Sequence, residues 1–155
     1  MSTQPEVSVE VARTPEQRSE ALAIRRVVFI EEQGVPEPEE IDRYDTDPAS
    51  RDAAVSVLAR AGGQAVGTGR LLLDEPPGEN AHVGRVAVLL EWRRHGVGRA
   101  VMASLEAEAR ARGFPGITLG AQLHAIPFYE RLGYVARGTV FLDAGIEHRW
   151  MDKRL

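Results

Sequence analysis

The chain has no cysteine among its 155 residues. That absence excludes disulfide bonds, a thiolate nucleophile and cysteine-ligated metals, and it fits a reducing compartment. Long hydrophobic runs are missing as well: no segment approaches the roughly 18 apolar residues of a membrane span. The opening MSTQPEVSVEVARTPEQ has neither a charged leader region nor an apolar stretch of signal-peptide length. The expectation is a soluble, cytoplasmic protein with no membrane partner. Excess positive charge is absent too. A formal net charge of −4 supplies no basic field for nucleic acid, so any anion site must be local. No repeat, low-complexity tract or break in composition divides the chain, and its length suits one domain over residues 1–155.

What is present is a regular alternation of strand and helix signals. Val7, Val9 and Val11 alternate with polar residues as a first strand. Thr14-Pro15-Glu16-Gln17 then offers an N-cap, a proline in the first turn and a capping-box glutamine, which predicts a helix to about Glu32. Gly34, Pro36 and Pro38 end it, and the acidic stretch from Glu37 to Asp52 reads as a loop with Asp42, Asp45 and Asp47 in solvent. Arg25 is expected at the surface, and Arg26 either there or at an acceptor site. Residues 53–60 and 65–73 form a hairpin about Gly62-Gly63. A second loop over 74–82 holds Pro76, Pro77 and His82, and a strand follows over 83–89. The chain continues with a helix from Gly96 or Val97 to Arg112, a buried strand over 117–121, a short helix over 125–132 and strands over 134–142 and 148–154. The fold class is therefore α/β (α+β), a mixed central sheet of about six to seven strands flanked by helices. The final strand offers an edge through which a homodimer could form.

The densest positive cluster is EWRRHGVGRA, residues 91–100. A strand, a glycine turn and a helix in that order aim free backbone N–H groups and the positive end of a helix dipole at an anion. Arg93, Arg94 and Arg99 add charge beside Gly96 and Gly98, and a pyrophosphate is the natural guest. Two common phosphate motifs are lacking. No Gly-Lys-Ser or Gly-Lys-Thr exists, and Val101 stands where a dinucleotide fingerprint needs a small residue. The glycines alone allow either a basic helix cap or an anion cradle.

The surrounding residues favour a cradle. Val83-Gly84-Arg85-Val86-Ala87-Val88, followed by Arg93-x-x-Gly96-x-Gly98, is similar to the acetyl-CoA motif of the GNAT N-acetyltransferases. Downstream, Phe128-Tyr129-Glu130-Arg131-Leu132-Gly133-Tyr134 resembles the F-Y-E-x-x-G-[FY] segment of that family. The stretches 26–33, 121–124 and 145–148 resemble its ElaA-like branch, so the likeness covers nearly the whole chain. Leu90 stands where the family often has proline, Gln122 where many members have a CoA-contacting asparagine, and position 95 is histidine.

The resemblance implies the GNAT acyl-CoA N-acyltransferase fold, with acetyl-CoA as co-substrate and no metal. It implies that Val86, Ala87 and Val88 present backbone groups to the pantetheine arm, with the Val88 N–H polarising the thioester carbonyl. Arg93, Arg94, His95, Gly96, Val97, Gly98 and Arg99 would hold the pyrophosphate mainly by main-chain N–H groups, with Gln122 nearby and Tyr129 as general acid. The partner would be an amine acceptor attacking directly, since no cysteine can carry an acyl group. Glu31, Glu32, His124, His148 or a water relay could remove the amine proton, and His82 is weaker. A CoA-binding sensor without turnover and an acyl-homoserine-lactone synthase-like enzyme are the alternatives.

Overall fold

The computed structural model describes residues 5–74 and 78–155. Pro76 and Pro77 of the expected second loop lie outside the described residues. Seven strands form one mixed sheet: β1 (Val7–Val11), β2 (Ala54–Ala61), β3 (Gln64–Leu72), β4 (Ala81–Val88), β5 (Gly116–Gln122), β6 (Val135–Asp143) and β7 (Ile146–Arg154). Their order across the sheet is β1-β2-β3-β4-β5-β7-β6. The strand at the far edge is therefore β6, and the final strand β7 is paired on both sides. This corrects the expectation that the last strand is an edge: β7 returns between β5 and β6.

Helix α1 (Pro15–Arg25) starts at Thr14 with the capping box legible in the sequence. Beyond Arg25 the winding widens to a π-helix over Arg26–Glu32, in which Gln33 N–H reaches the carbonyl of Val28 at 3.2 Å. Ala21, Ile24 and Val28 face the sheet and bury against Leu58 and Ala87, each of the larger side chains contributing roughly 1.5–3 kcal/mol by leaving water.

The acidic stretch is not a solvated loop. It folds into three single-turn helices, α2 (Glu37–Glu40), α3 (Arg43–Thr46) and α4 (Pro48–Arg51). Arg25, expected at the surface, is 4% exposed. Its Nε donates to Glu40 at 2.8 Å, and its terminal nitrogens donate to both carboxylate oxygens of Asp45 at 2.7 and 2.9 Å. Buried Arg70 forks onto Asp42 at 3.0 and 2.7 Å, and Arg85 lies against Glu40 at 2.9 Å. Three guanidinium groups thus meet three carboxylates, with Arg25, Arg70 and Glu40 buried and Arg85, Asp42 and Asp45 partly so, a setting in which a lone charge would be costly and a matched set is tolerated. Arg26 is half-exposed and pairs with Glu37 at 2.6 Å. Of the three aspartates expected in solvent, Asp47 alone is exposed, and it caps α4.

Helix α5 (Val97–Ala111) buries Val97, Val101, Leu105 and Ala109, the helical stripe expected from spacing. It lies very close to the sheet because β3 is bare beneath it. A Cβ at Gly67 would come within 2.6 Å of Val97, and one at Gly69 within 2.7 Å of Val101. Those missing methyl groups set the height of the α5 N-terminus. The short helix α6 (Ile126–Arg131) follows a single 3-10 turn after β5.

The sheet is interrupted at one place. Strands β4 and β5 run parallel but pair only at Ala81↔Ile117, His82↔Thr118 and Val83↔Leu119. Past that point β4 pairs with β3 alone and β5 with β7 alone. On the β4 side a bulge sets Gly69 opposite both Arg85 and Val86. Arg85 takes φ +55 there, a conformation unfavourable for a residue with a Cβ, and its guanidinium is anchored in the ion network.

Candidate active site

The parting of β4 from β5 opens a wedge, and the wedge is a cleft of about 950 Å³. Its sides are the π-helix and α2, the free edge of β4, the glycine turn, the end of β5, α6 and the β6–β7 pair. His82, which the sequence placed in a loop, stands on β4 and lines this cleft. It was misplaced because strand pairing begins at Ala81, two residues before Val83, the first valine of the run.

At the β4 edge, Leu89 N–H donates to Val66 at 3.0 Å. Successive residues of a strand turn their N–H groups to opposite edges, so the Val88 N–H is turned away from β3 and toward the wedge. The Val88 carbonyl on the same edge accepts from Arg93 Nε at 2.9 Å. Arg93 also clasps Glu32 with both terminal nitrogens, each at 2.8 Å, and this holds the Glu32 carboxyl below its ordinary value. All three guanidinium nitrogens of Arg93 are thereby engaged inside the protein. Arg94 and Arg99 are exposed and make no ion pair among the described residues.

The turn itself is shaped by backbone conformation. Gly96 sits at φ +80 as the N-cap, with nothing within 4 Å of where its Cβ would be, and Arg94 also lies in the left-handed region at φ +67. No side chain caps α5. Ala100 N–H closes the first turn onto Gly96 at 3.0 Å, which leaves the N–H groups of Val97, Gly98 and Arg99 without an intrahelical partner. Gly98 serves a different need: a Cβ there would meet the ring of Phe128 at 3.1 Å. The bare α-carbon lets the start of α5 press against α6. His95 is exposed and sets its ring edge-on to Trp92, 6.0 Å between centroids.

Across the wedge, Gln122 at the end of β5 exchanges amide hydrogen bonds with Gln33 at the end of the π-helix, at 2.8 and 3.2 Å. Tyr129 on α6 is 8% exposed, edge-on to Phe128 and Tyr134. Burial pushes its phenol above the ordinary value, so the hydroxyl stays protonated at neutral pH, and it has no hydrogen-bond partner among the described residues. Tyr134 is placed otherwise, donating to buried Glu106 at 2.9 Å. Lys153 meets the same carboxylate at 2.9 Å, so Glu106 ties α5 to β7 and to Tyr134 just ahead of β6.

Of the side chains expected to remove a proton, Glu31 is exposed and does not line the cleft, and Glu32 is committed to Arg93. His124 is exposed at the rim. His148 is 9% exposed on β7, stacked on Phe141 with centroids 5.6 Å apart, its Nδ1 at 2.7 Å from the Ile146 carbonyl.

Comparison with known proteins bears on this arrangement directly. Residues 20–134 match the acetyltransferase (GNAT) family. The chain belongs to that family. The uncharacterized N-acetyltransferase YjcF of Bacillus subtilis (strain 168) is 37% identical over 144 residues, covering 92% of this chain and 96% of YjcF. A solved structure from Lactobacillus plantarum is 28% identical, covers 96% of this chain and 98% of its own, and superposes with a TM-score of 0.83. Escherichia coli ElaA shares the fold at a TM-score of 0.79, with 24% identity and coverage of 96% and 99%. The GNAT match spans the π-helix, α2, β4, the glycine turn, α5, β5 and α6, every side of the cleft except the β6–β7 pair.

The motifs thus come together in this GNAT protein, while the partners that brace them were not visible in sequence. Gln33 was legible only as part of a familiar stretch. Phe128 was read as a motif letter, and here it is the surface that makes Gly98 necessary.

Proposed function

We propose that the protein transfers an acetyl group from acetyl-CoA to a primary amine. The observation that carries this reading is the junction, in one cleft, of a strand edge with a free N–H at Val88 and a helix N-terminus with three unpartnered N–H groups. Such donors suit a carbonyl oxygen at one end and a pyrophosphate at the other. Acetyl-CoA, when bound, supplies an activated carbonyl and a thiolate leaving group. The open space at Gly96 and the uncapped first turn of α5 fit its phosphates, with Arg94 and Arg99 as outlying charge and Arg93, His95, Val97, Gly98 and Gln122 forming the walls.

In this reading the Val88 N–H stabilises the oxyanion that develops on attack, and Val86 and Ala87 continue the edge along which the pantetheine lies. Tyr129, neutral and otherwise unpartnered, donates its proton as the C–S bond breaks. Such donation is typically worth about 10² to 10⁴ in rate. Residues 1–155 act as one domain in the cytoplasm, as a monomer or as a homodimer.

The test pairs two measurements on the whole protein: the shift in melting temperature with acetyl-CoA, and release of free thiol across a panel of primary amines. Stabilisation together with thiol release supports the enzyme. Stabilisation with no thiol from any amine points to a CoA-binding sensor, and no stabilisation removes the cleft as a CoA site.

A further inference from the structure

We infer that His148 is the group that takes the proton from the acceptor amine. This rests on the acetyl-transfer reading above and extends it to the acceptor side. An alkyl ammonium with a pKa near 10 is almost wholly protonated at pH 7, so attack requires a nearby lone pair in the cleft. Four observations assign that lone pair to His148.

The first is its tautomer. Nδ1 lies 2.7 Å from the Ile146 carbonyl, an atom that can only accept. Nδ1 therefore carries the ring hydrogen, and Nε2 presents the lone pair. The second is the fixed ring. His148 is 9% exposed and stacked on Phe141 at an interplanar angle of 24°, while Phe141 is itself stacked on Trp150 with centroids 4.8 Å apart. The third is the room beside it. A Cβ at Gly120 would come within 3.2 Å of Phe141 and 3.9 Å of His148 Cδ2, so the glycine keeps clear the ring edge on which Cδ2 and Nε2 are neighbours.

The fourth is position. His148 pairs in register with Gln122, the last residue of β5, at the open end of the wedge and in the same cleft as Val88 and Tyr129. The rival groups are spoken for or displaced. Glu32 is held ionised by Arg93, and His82 sits where β4 and β5 are still paired. His124 is exposed at the rim, and Asp143 lies at the exposed β6 end.

The proton accounting closes. The ammonium gives one proton to Nε2, and the neutral amine attacks the thioester carbonyl, forming the C–N bond. As the C–S bond breaks, Tyr129 protonates the departing sulfur. The second proton lost from nitrogen restores Tyr129 through solvent, and imidazolium releases the first to bulk water.

The inference is tested by comparing wild type with His148→Gln on two acceptors, an alkylamine and a weakly basic aryl amine that is already neutral at pH 7. With the alkylamine, kcat should fall by about 10² to 10⁴; with the aryl amine it should fall less than tenfold. The thermal shift with acetyl-CoA should be unchanged. Equal losses on both acceptors, or none, overturn the assignment. If wild type itself releases no thiol, the acetyl-transfer reading fails instead. A second measurement does not depend on turnover or on the variant folding: long-range ¹H–¹⁵N NMR of the wild-type imidazoles without acetyl-CoA. An unprotonated Nε2 at His148 that shifts on adding the alkylamine is expected. A protonated Nε2 with a bare Nδ1, or no response to the amine, refutes the role.

Discussion

Arg93 holds Glu32 by two hydrogen bonds of 2.8 Å and the Val88 carbonyl by a third of 2.9 Å. One side chain thereby fastens the π-helix to the end of β4 and fixes the backbone edge on which Val88 lies. Both partners of the ion pair are about a third exposed, so its net contribution to stability is small, about 1 kcal/mol at most. Arg93→Ala should therefore melt within about 4 °C of wild type while losing a larger part of its stabilisation by acetyl-CoA. Scanning calorimetry with and without acetyl-CoA separates the two effects.

Tyr129→Phe should leave the fold intact, because the ring keeps its contacts with Phe128 and Tyr134 and the hydroxyl gives up no internal partner. Turnover should fall by about 10² to 10⁴ with acetyl-CoA binding retained. Steady-state kinetics beside a melting curve provide the check. A variant of unchanged kcat would mean that the leaving thiolate is protonated from elsewhere.

The two glycines of the turn should respond differently. Gly96→Ala meets open space but must hold φ +80, a strain of about 1–2 kcal/mol. Gly98→Val drives its side chain toward Phe128, whose ring is already 3.1 Å from the first added carbon. The expected cost is about 1–3 kcal/mol of overpacking, with loss of the acetyl-CoA thermal shift as α6 is pushed away. Urea titration and the ligand shift, measured on both variants, discriminate strain in the turn from displacement of α6.

Removing one charge from the buried network should be severe. Arg25→Met leaves Glu40 and Asp45 facing each other with less compensation, at about 3–5 kcal/mol, to be read by urea unfolding. Acid should act on the same place. Burial tends to raise the Asp45 carboxyl, but the hydrogen bonds and charge of Arg25 outweigh it and hold it below its ordinary value of 3.8. A carboxyl depressed in the folded state stabilises in full above its unfolded value and loses that contribution as pH falls through the folded one. Wild type should thus lose stability as pH drops below about 4, and Arg25→Met should lose less over the same interval.

The seven strands, the helices α1, α5 and α6, the capping box at Thr14 and the stripe along α5 were legible, because each is a local pattern of neighbouring residues. So was the shape of the glycine turn, since Gly96 takes the left-handed conformation that a glycine announces. The ion network was not. Arg25 meets Glu40 and Asp45 at separations of 15 and 20 residues, and nothing in a run of acidic residues distinguishes solvated carboxylates from those awaiting a buried arginine. For the same reason β7 was taken for an edge: the order β5-β7-β6 is settled by pairing across the sheet. Glu32 illustrates the limit within the site, since its rival claim as a base was removed by an arginine 61 residues away.

With Glu40, Asp42 and Asp45 riveted to Arg25, Arg70 and Arg85, the three short helices between α1 and β2 are masonry. The β6–β7 side of the cleft is lined instead by Ala144 and the aromatic wall of Phe141 and Trp150. In the acetyl-transfer reading proposed above, changes in the acceptor admitted should concentrate where β6 turns into β7, because the ion network holds the α2 side in place.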